Sequence, residues 1–421
     1  MRRSRIPWAA AALGVGLTAC ATPGAGSGAS TTPTRSSITP SATAAAASTQ
    51  AVGTVLGCSS AVASAPTLDT VQTFFSSGPL EPFGVAISPD SRTAFVADAS
   101  GAIYVYSLGS EAPTVENVDS FRVTSTDGIP PRPGVSPLGL ASTPNGKYLI
   151  AADDSGGAVV FNASHLEEAE SHWSSWRTGT LTSRGQGAIE AAVSPGGSYV
   201  FVTLENSDGL AVFHLKRALL NGFGQSDVVG TVPLGVAPVG MAISPNGRYL
   251  YVTSEAAAPS QNDGTLTTIN LATAEHAPSR SIVSTVSAGC SPVRVVATSS
   301  SVYVTARGSD ALLDFAATDL VSHPATALQG VVHVGEAPVG VALADHDKTL
   351  VIADSDRFSA PGTGADLAVL TEGQGGHLSL AGYVKSGSFP RDIAVLPNGS
   401  ALLVSNFGSG QVEQVAVASL P

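Results

Sequence analysis

The stretch PVGMAISPNGRYLYVTSE, residues 238–255, decides the fold of this chain. It opens with Pro-x-Gly, runs through a short apolar segment to Pro-Asn-Gly, and continues as a second apolar segment ending on an acid. Alternating apolar and polar residues mark two strands, and Pro-Asn-Gly marks the tight turn between them. Six further copies occur: PFGVAISPDSRTAFVAD from Pro82, PLGLASTPNGKYLIAAD from Pro137, AIEAAVSPGGSYVFVTLE from Ala188, PVRVVATSSSVYVTAR from Pro292, PVGVALADHDKTLVIAD from Pro338 and PRDIAVLPNGSALLVSN from Pro390. A period of about fifty residues with several short strands per unit is the signature of propeller blades.

The unit at Pro238 supplies four strands, GMAIS, RYLYVTS, TLTTINL and SIVSTVS. The last unit supplies three, DIAVL, ALLVSN and QVEQVAVA, before the chain stops at Pro421. Ahead of the first unit stands DTVQTFF, residues 69–75, where a fourth strand is wanted. The sequence therefore predicts an all-β, seven-bladed β-propeller over residues 52–421. Strand 69–75 is expected to complete the last blade and close the ring, removing an open edge.

Ahead of the propeller the chain reads as an export and anchoring device. Arg2, Arg3 and Arg5 precede a short apolar run and small residues before a cysteine, the pattern of a signal peptide over residues 1–19. Leu17-Thr18-Ala19-Cys20 resembles the bacterial lipobox, which implies cleavage before Cys20 and lipidation of its thiol. Residues 20–51 are then a flexible Ala/Ser/Thr/Pro tether with Arg35 its one charge. The expected location is outside the cell, lipid-anchored to the cell membrane, or to the outer membrane if the source has one. Cys58 and Cys290 remain, either bridged, as an oxidising compartment permits, or as two buried thiols.

The precursor carries a formal charge of −12, and losing three arginines with residues 1–19 makes the rest more acidic. That balance, with no groove of interleaved aromatic and basic residues, excludes nucleic acid as an expected partner. The remaining expectation is a monomer that meets a protein, a glycan or a small polar ligand.

Aligning the seven units places Gly84, Gly139, Glu190, Gly240, Arg294, Gly340 and Asp392 at the channel end of each first strand. Three blades thus replace glycine by a charge, and Arg391 adds a fourth. The end of each second strand holds Asp98, Asp153, Glu205, Glu255, Arg307, Asp354 and Asn406. Read functionally, these two rings form a charged funnel in which Glu190, Glu255, Arg294, Arg307, Arg391 and Asp392 bind a ligand. Read structurally, the Asp and Asn residues close turns by accepting backbone N–H groups, and the Glu190, Arg294 and Asp392 charges pair across the channel. No histidine falls at either ring and no Cys-x-x-Cys spacing exists, so neither a metal nor another cofactor is expected. No Gly-x-Ser-x-Gly elbow is present. A hydrolase built on this channel would use Glu190 or Glu205 as base and Arg294 to stabilise an oxyanion.

Pro-x-Gly-x-Ala-x-Ser-Pro-(Asp/Asn)-Gly followed by Tyr251-Val252-Thr253, and again Tyr303-Val304-Thr305, resembles the YVTN or YncE-like bacterial β-propeller repeats over roughly residues 66–420. The seven-bladed shape is similar to the lactonase-like propellers, including 6-phosphogluconolactonase. The first resemblance implies a surface or periplasmic binding module. The second implies hydrolysis of a sugar-derived lactone. The binding reading places contacts on long insertions at 111–136, 165–187 and 255–263; within the second, HLEEAESHWSSW is expected to form a short helix whose Trp173 and Trp176 pack on the rim or stack on a ligand.

Overall fold

A computed structural model describes Cys58 and residues 61–77, 79, 81–108, 121–123, 136–164, 177–358, 366–373 and 377–421. Within these, twenty-eight strands form seven four-stranded antiparallel sheets. The innermost strands are Pro82–Ile87, Pro137–Ser142, Ala188–Val193, Val236–Ile243, Pro292–Ala297, Pro338–Ala344 and Pro390–Val395, here blades one to seven. The chain then steps outward through each sheet.

The apolar alternation in each strand serves two neighbours. In the second strand of blade four, Leu250 and Val252 pack toward blade three while Tyr251 packs toward blade five. The same division gives seven separate apolar clusters, one between each pair of adjacent blades, including blades seven and one. Two-residue side-chain periodicity thus builds a ring instead of one central core.

Pro-(Asp/Asn)-Gly works as its residue types demand. Asn246 Oδ1 accepts from the Arg248 N–H at 3.0 Å, Ser244 Oγ accepts from the Tyr249 N–H at 2.9 Å, and Gly247 takes a left-handed φ of 67°. Only glycine adopts that conformation without steric penalty.

The ring closes with Thr73–Ser77 pairing antiparallel to Gln411–Ala416 as the outer strand of blade seven. This strand starts four residues later than the expected 69–75. Asp69 and Thr70 instead turn the chain, held by the Val71 N–H to Leu68 C=O bond, after Thr67 bridges Tyr383 of blade six. Two presumed insertions also contain outer strands. Phe121–Val123 belongs to blade one and Arg177–Thr182 to blade two, because every sheet needs a fourth strand before the chain returns to the channel. The proposed helix with Trp173 and Trp176 lies outside the described residues.

Cys58 and Cys290 are bonded, with Cα atoms 5.1 Å apart and a sequence separation of 232. The link ties the segment ahead of blade one to the end of blade four's outer strand, Ile282–Cys290.

Candidate functional site: the central channel and its mouth

Each innermost strand gains one extra residue against its neighbour just after the residue that opens its repeat, as between Pro238 and Met241. This bulge turns the second and third residues of the repeat toward the axis. The third residue is glycine in blades one, two, four and six because the next blade comes too close for a side chain. A Cβ on Gly240 would meet the Val293 carbonyl at 2.0 Å, and one on Gly139 would meet the Glu190 Cα at 2.7 Å. Blades three, five and seven use the room so made for Glu190, Arg294 and Asp392.

These three charges converge. Arg294 Nη1 lies 3.4 Å from Glu190 Oε2, and its Nε lies 3.9 Å from Asp392 Oδ1. Both carboxylates are also tied to the following blade. Asp392 Oδ2 accepts the Val85 N–H at 2.9 Å, and the Met241 N–H draws the Glu190 carboxyl down. Met241 occupies in blade four the place of Val85 in blade one, so the two acids face equivalent backbone N–H groups. Burial pushes the Glu190 carboxyl up to about 7; Arg294 opposes that shift, and Asp392 adds to it. Glu190 Oε2 and Arg294 Nε make no hydrogen bond, so the pairing is coulombic and loosely fitted.

A hydroxyl stands behind each member of the trio. Thr203, Thr305 and Ser405 accept the N–H of Glu190, Arg294 and Asp392 and donate to the carbonyls of Val239, Val339 and Phe83 in the next blade. Thr253 does the same for Gly240 and Val293. The Thr of the Tyr-Val-Thr signature is therefore an inter-blade clip. Its counterparts in the other blades are Ala97, Ala152 and Ala353.

One residue nearer the mouth, Phe83, Leu138, Ile189, Val239, Val293 and Val339 pack together as a buried apolar plug. The seventh position of this ring is Arg391, whose Cζ lies over the Phe83 ring at 3.6 Å. Burial and the neighbouring Arg294, Arg357 and Arg307 hold its pKa well below the ordinary arginine value. Nε of Arg391 is buried without a hydrogen-bond partner.

Above the plug the mouth is divided by charge. Arg307 Nη2 pairs with Glu255 Oε1 at 2.9 Å. Glu205 lies within their field and that of Arg391, its carboxyl raised mainly by burial and then by Glu255. Arg357 of blade six faces the same group of charges. Phe389 takes a φ of 53°, the left-handed conformation shared by Ala237, Ser291 and Ala337 at the same place in other blades. Its ring packs 5.3 Å from that of Phe407.

The family model described as lactonase, 7-bladed beta-propeller, matches residues 65–360. The chain belongs to this family. No curated protein sequence matches it. Among solved structures it is similar to a chain of Kuenenia stuttgartiensis hydrazine synthase, with 15% identity, a TM-score of 0.61, and coverage of 81% of this chain and 97% of the other. It is likewise similar to a chain in the crystal structure of a mitotic checkpoint complex, with 12% identity, a TM-score of 0.61, and coverage of 82% and 91%. At such identities the likeness is one of fold alone.

In this lactonase-family propeller the two rings read from sequence separate into different roles. Glu190, Arg294 and Asp392 meet at the channel, and Glu205, Glu255, Arg307 and Arg391 gather at the mouth. Asp98, Asp153, Asp354 and Asn406 do not join an acidic ring. They turn inward and are buried: Asp98 accepts the Ser100 N–H at 2.8 Å, Asp354 accepts the Gly335 N–H at 3.1 Å, Asp153 accepts from Ser136 and Ser155, and Asn406 bonds Ser386 and Glu413. Sequence reading missed Arg357 and the Phe83, Phe389 and Phe407 surround of Arg391. Its available signal was the Arg in Pro-Arg-Asp, where every other unit has an apolar residue.

Proposed function

We propose that this lactonase-family propeller is a binding module, held outside the cell by lipid on Cys20, that takes a small polar ligand at the channel mouth. The observation that carries this reading is the commitment of the channel trio. Arg294 is engaged by two carboxylates, each carboxylate also faces a backbone N–H of the next blade, and the apolar plug stands between them and the mouth. Glu205, Glu255, Arg307, Arg357 and Arg391, by contrast, gather at the mouth, each on a different blade, with both signs of charge in one field. The Leu-Thr-Ala-Cys motif supports the anchor.

A second reading is favoured by one observation, the Glu190 carboxyl at about 7 beside Arg294. A group titrating there can take a proton from water as it attacks a lactone carbonyl, while Arg294 stabilises the oxyanion before the ring C–O bond breaks to give a hydroxy acid. Family membership supports this alternative equally.

The binding reading is tested by thermal melting of the protein against small sugars, amino acids and carboxylic acids. The expected result is a rise in Tm with one class, abolished by Glu255→Gln or Arg307→Gln. A rise that survives both variants would place the ligand elsewhere.

A further inference from the structure

Arg357 and Arg391 lie near carboxylates at the mouth but are bonded directly to none of them among the described residues. Among the described residues, the ion pairs there join Arg294 to Glu190 and Asp392, and Arg307 to Glu255; Arg357 and Arg391 enter none. Aromatic faces hold them instead. Arg391 Cζ lies over Phe83 at 3.6 Å and within 5.8 Å of Phe389 and 5.7 Å of Phe407. Arg357 Cζ lies over Phe358 at 5.5 Å and Phe389 at 5.4 Å, so Phe389 stands beside both guanidiniums.

We propose that Arg357 and Arg391, set against Phe83, Phe358 and Phe389, receive the carboxylate of a small monoanionic ligand at the channel mouth. The assignment rests on the binding reading above and names its ligand class. A guanidinium laid on an aromatic face keeps its in-plane N–H groups free, and those form the fork that matches two carboxylate oxygens. Arg391 Nε is such a group, buried and unbonded. A buried cation lacking a partner is costly unless an anion arrives.

Charge selects among anions. The arginines 294, 307, 357 and 391 share the channel with carboxyls of Glu190, Glu205, Glu255 and Asp392. Asp392 and Glu255 already pair with Arg294 and Arg307, and burial raises the Glu190 and Glu205 carboxyls, so an incoming anion meets guanidinium charge that the channel's own acids do not fully balance. The chain's formal charge of −12 opposes polyanions at longer range. Phe358, 66% exposed, offers apolar surface to whatever carries the carboxylate.

Sodium benzoate, benzamide and inorganic phosphate are titrated calorimetrically into the full chain at fixed ionic strength. Benzoate is expected to bind at one site, with benzamide weaker by about tenfold or more, since a hydrogen bond to charge is worth about 1.5–3 kcal/mol. Arg357→Gln and Arg391→Gln are each expected to weaken benzoate by about tenfold, while the distant Arg92→Gln leaves it unchanged. Where Arg391→Gln does not fold, Arg357→Gln at the rim decides alone. Absent benzoate binding, equal binding of benzamide or phosphate, or unaltered affinity in Arg357→Gln would overturn the proposal. A lactone assay on the same protein separates the failures: without turnover, only the carboxylate assignment falls, whereas turnover removes the binding reading beneath it.

Discussion

At the scale of residues, the channel is a matter of alternating size. Gly240 and its equivalents are small because the next blade's backbone arrives within van der Waals distance, and that closeness lets Glu190, Arg294 and Asp392 reach one another. Gly240→Ala is expected to destabilise the ring by about 1–3 kcal/mol in denaturant unfolding, because a Cβ at 2.0 Å from the Val293 carbonyl forces backbone movement. Arg294→Met should cost about 3–5 kcal/mol near pH 8, where it strands two carboxylates, and less below pH 5, where the Glu190 carboxyl, raised to about 7 by burial, is protonated. Unfolding measured at both pH values checks this; an equal loss at both would mean the pairing contributes little. The charges at 190, 294 and 392 were legible in sequence as departures from glycine. Their mutual pairing was one of two readings, left open because nothing in a linear alignment reports which blades face each other across the axis. Asp98, Asp153 and Asp354 show the converse: the same residue type closes a turn or lines a funnel according to which way the loop carries it.

At the scale of elements, the repeat unit was readable because its turn chemistry and its two-residue periodicity agree, and local agreement of that kind specifies structure. The hydroxyl clips were hidden inside the signature, since Thr in a strand is also simply a good strand former. Glu413 is the exception to the pattern. It sits wholly buried in the Gln411–Ala416 strand, accepting from Ser386 and Asn406, with Oε1 unbonded, and burial pushes its carboxyl up to about 7. A carboxyl raised on folding contributes stability that is fully present below the ordinary range near 4.5 and is lost as pH rises through about 7. Glu413→Gln mimics the protonated form. It is expected to match the parent near pH 4.5 and to exceed it by on the order of 1–3 kcal/mol at pH 8, read from unfolding curves across pH. No gain at pH 8 would show that the group stays neutral through another route.

For the whole molecule, stability is distributed around seven inter-blade clusters, so the ring depends on its joints. The closing strand was legible as a missing fourth strand, though its start was misplaced by the turn at Asp69. The Cys58–Cys290 link spans 232 residues, and such a link restricts the unfolded chain. Cys58→Ser is expected to lose about 2–4 kcal/mol, and reductant should lower the Tm of the parent but not of the variant. Function was less legible than fold because a propeller's activity lies in a few side chains at the channel, which differ from blade to blade and so escape the repeat. The central claim is that the Glu190, Arg294 and Asp392 trio holds the ring together and the mouth binds. Its most direct test is hydrolysis of a panel of sugar lactones by the folded protein beside Glu190→Gln and Arg294→Ala. None of the three is expected to give turnover above background; turnover by the parent that disappears in both folded variants would make the channel an active site instead.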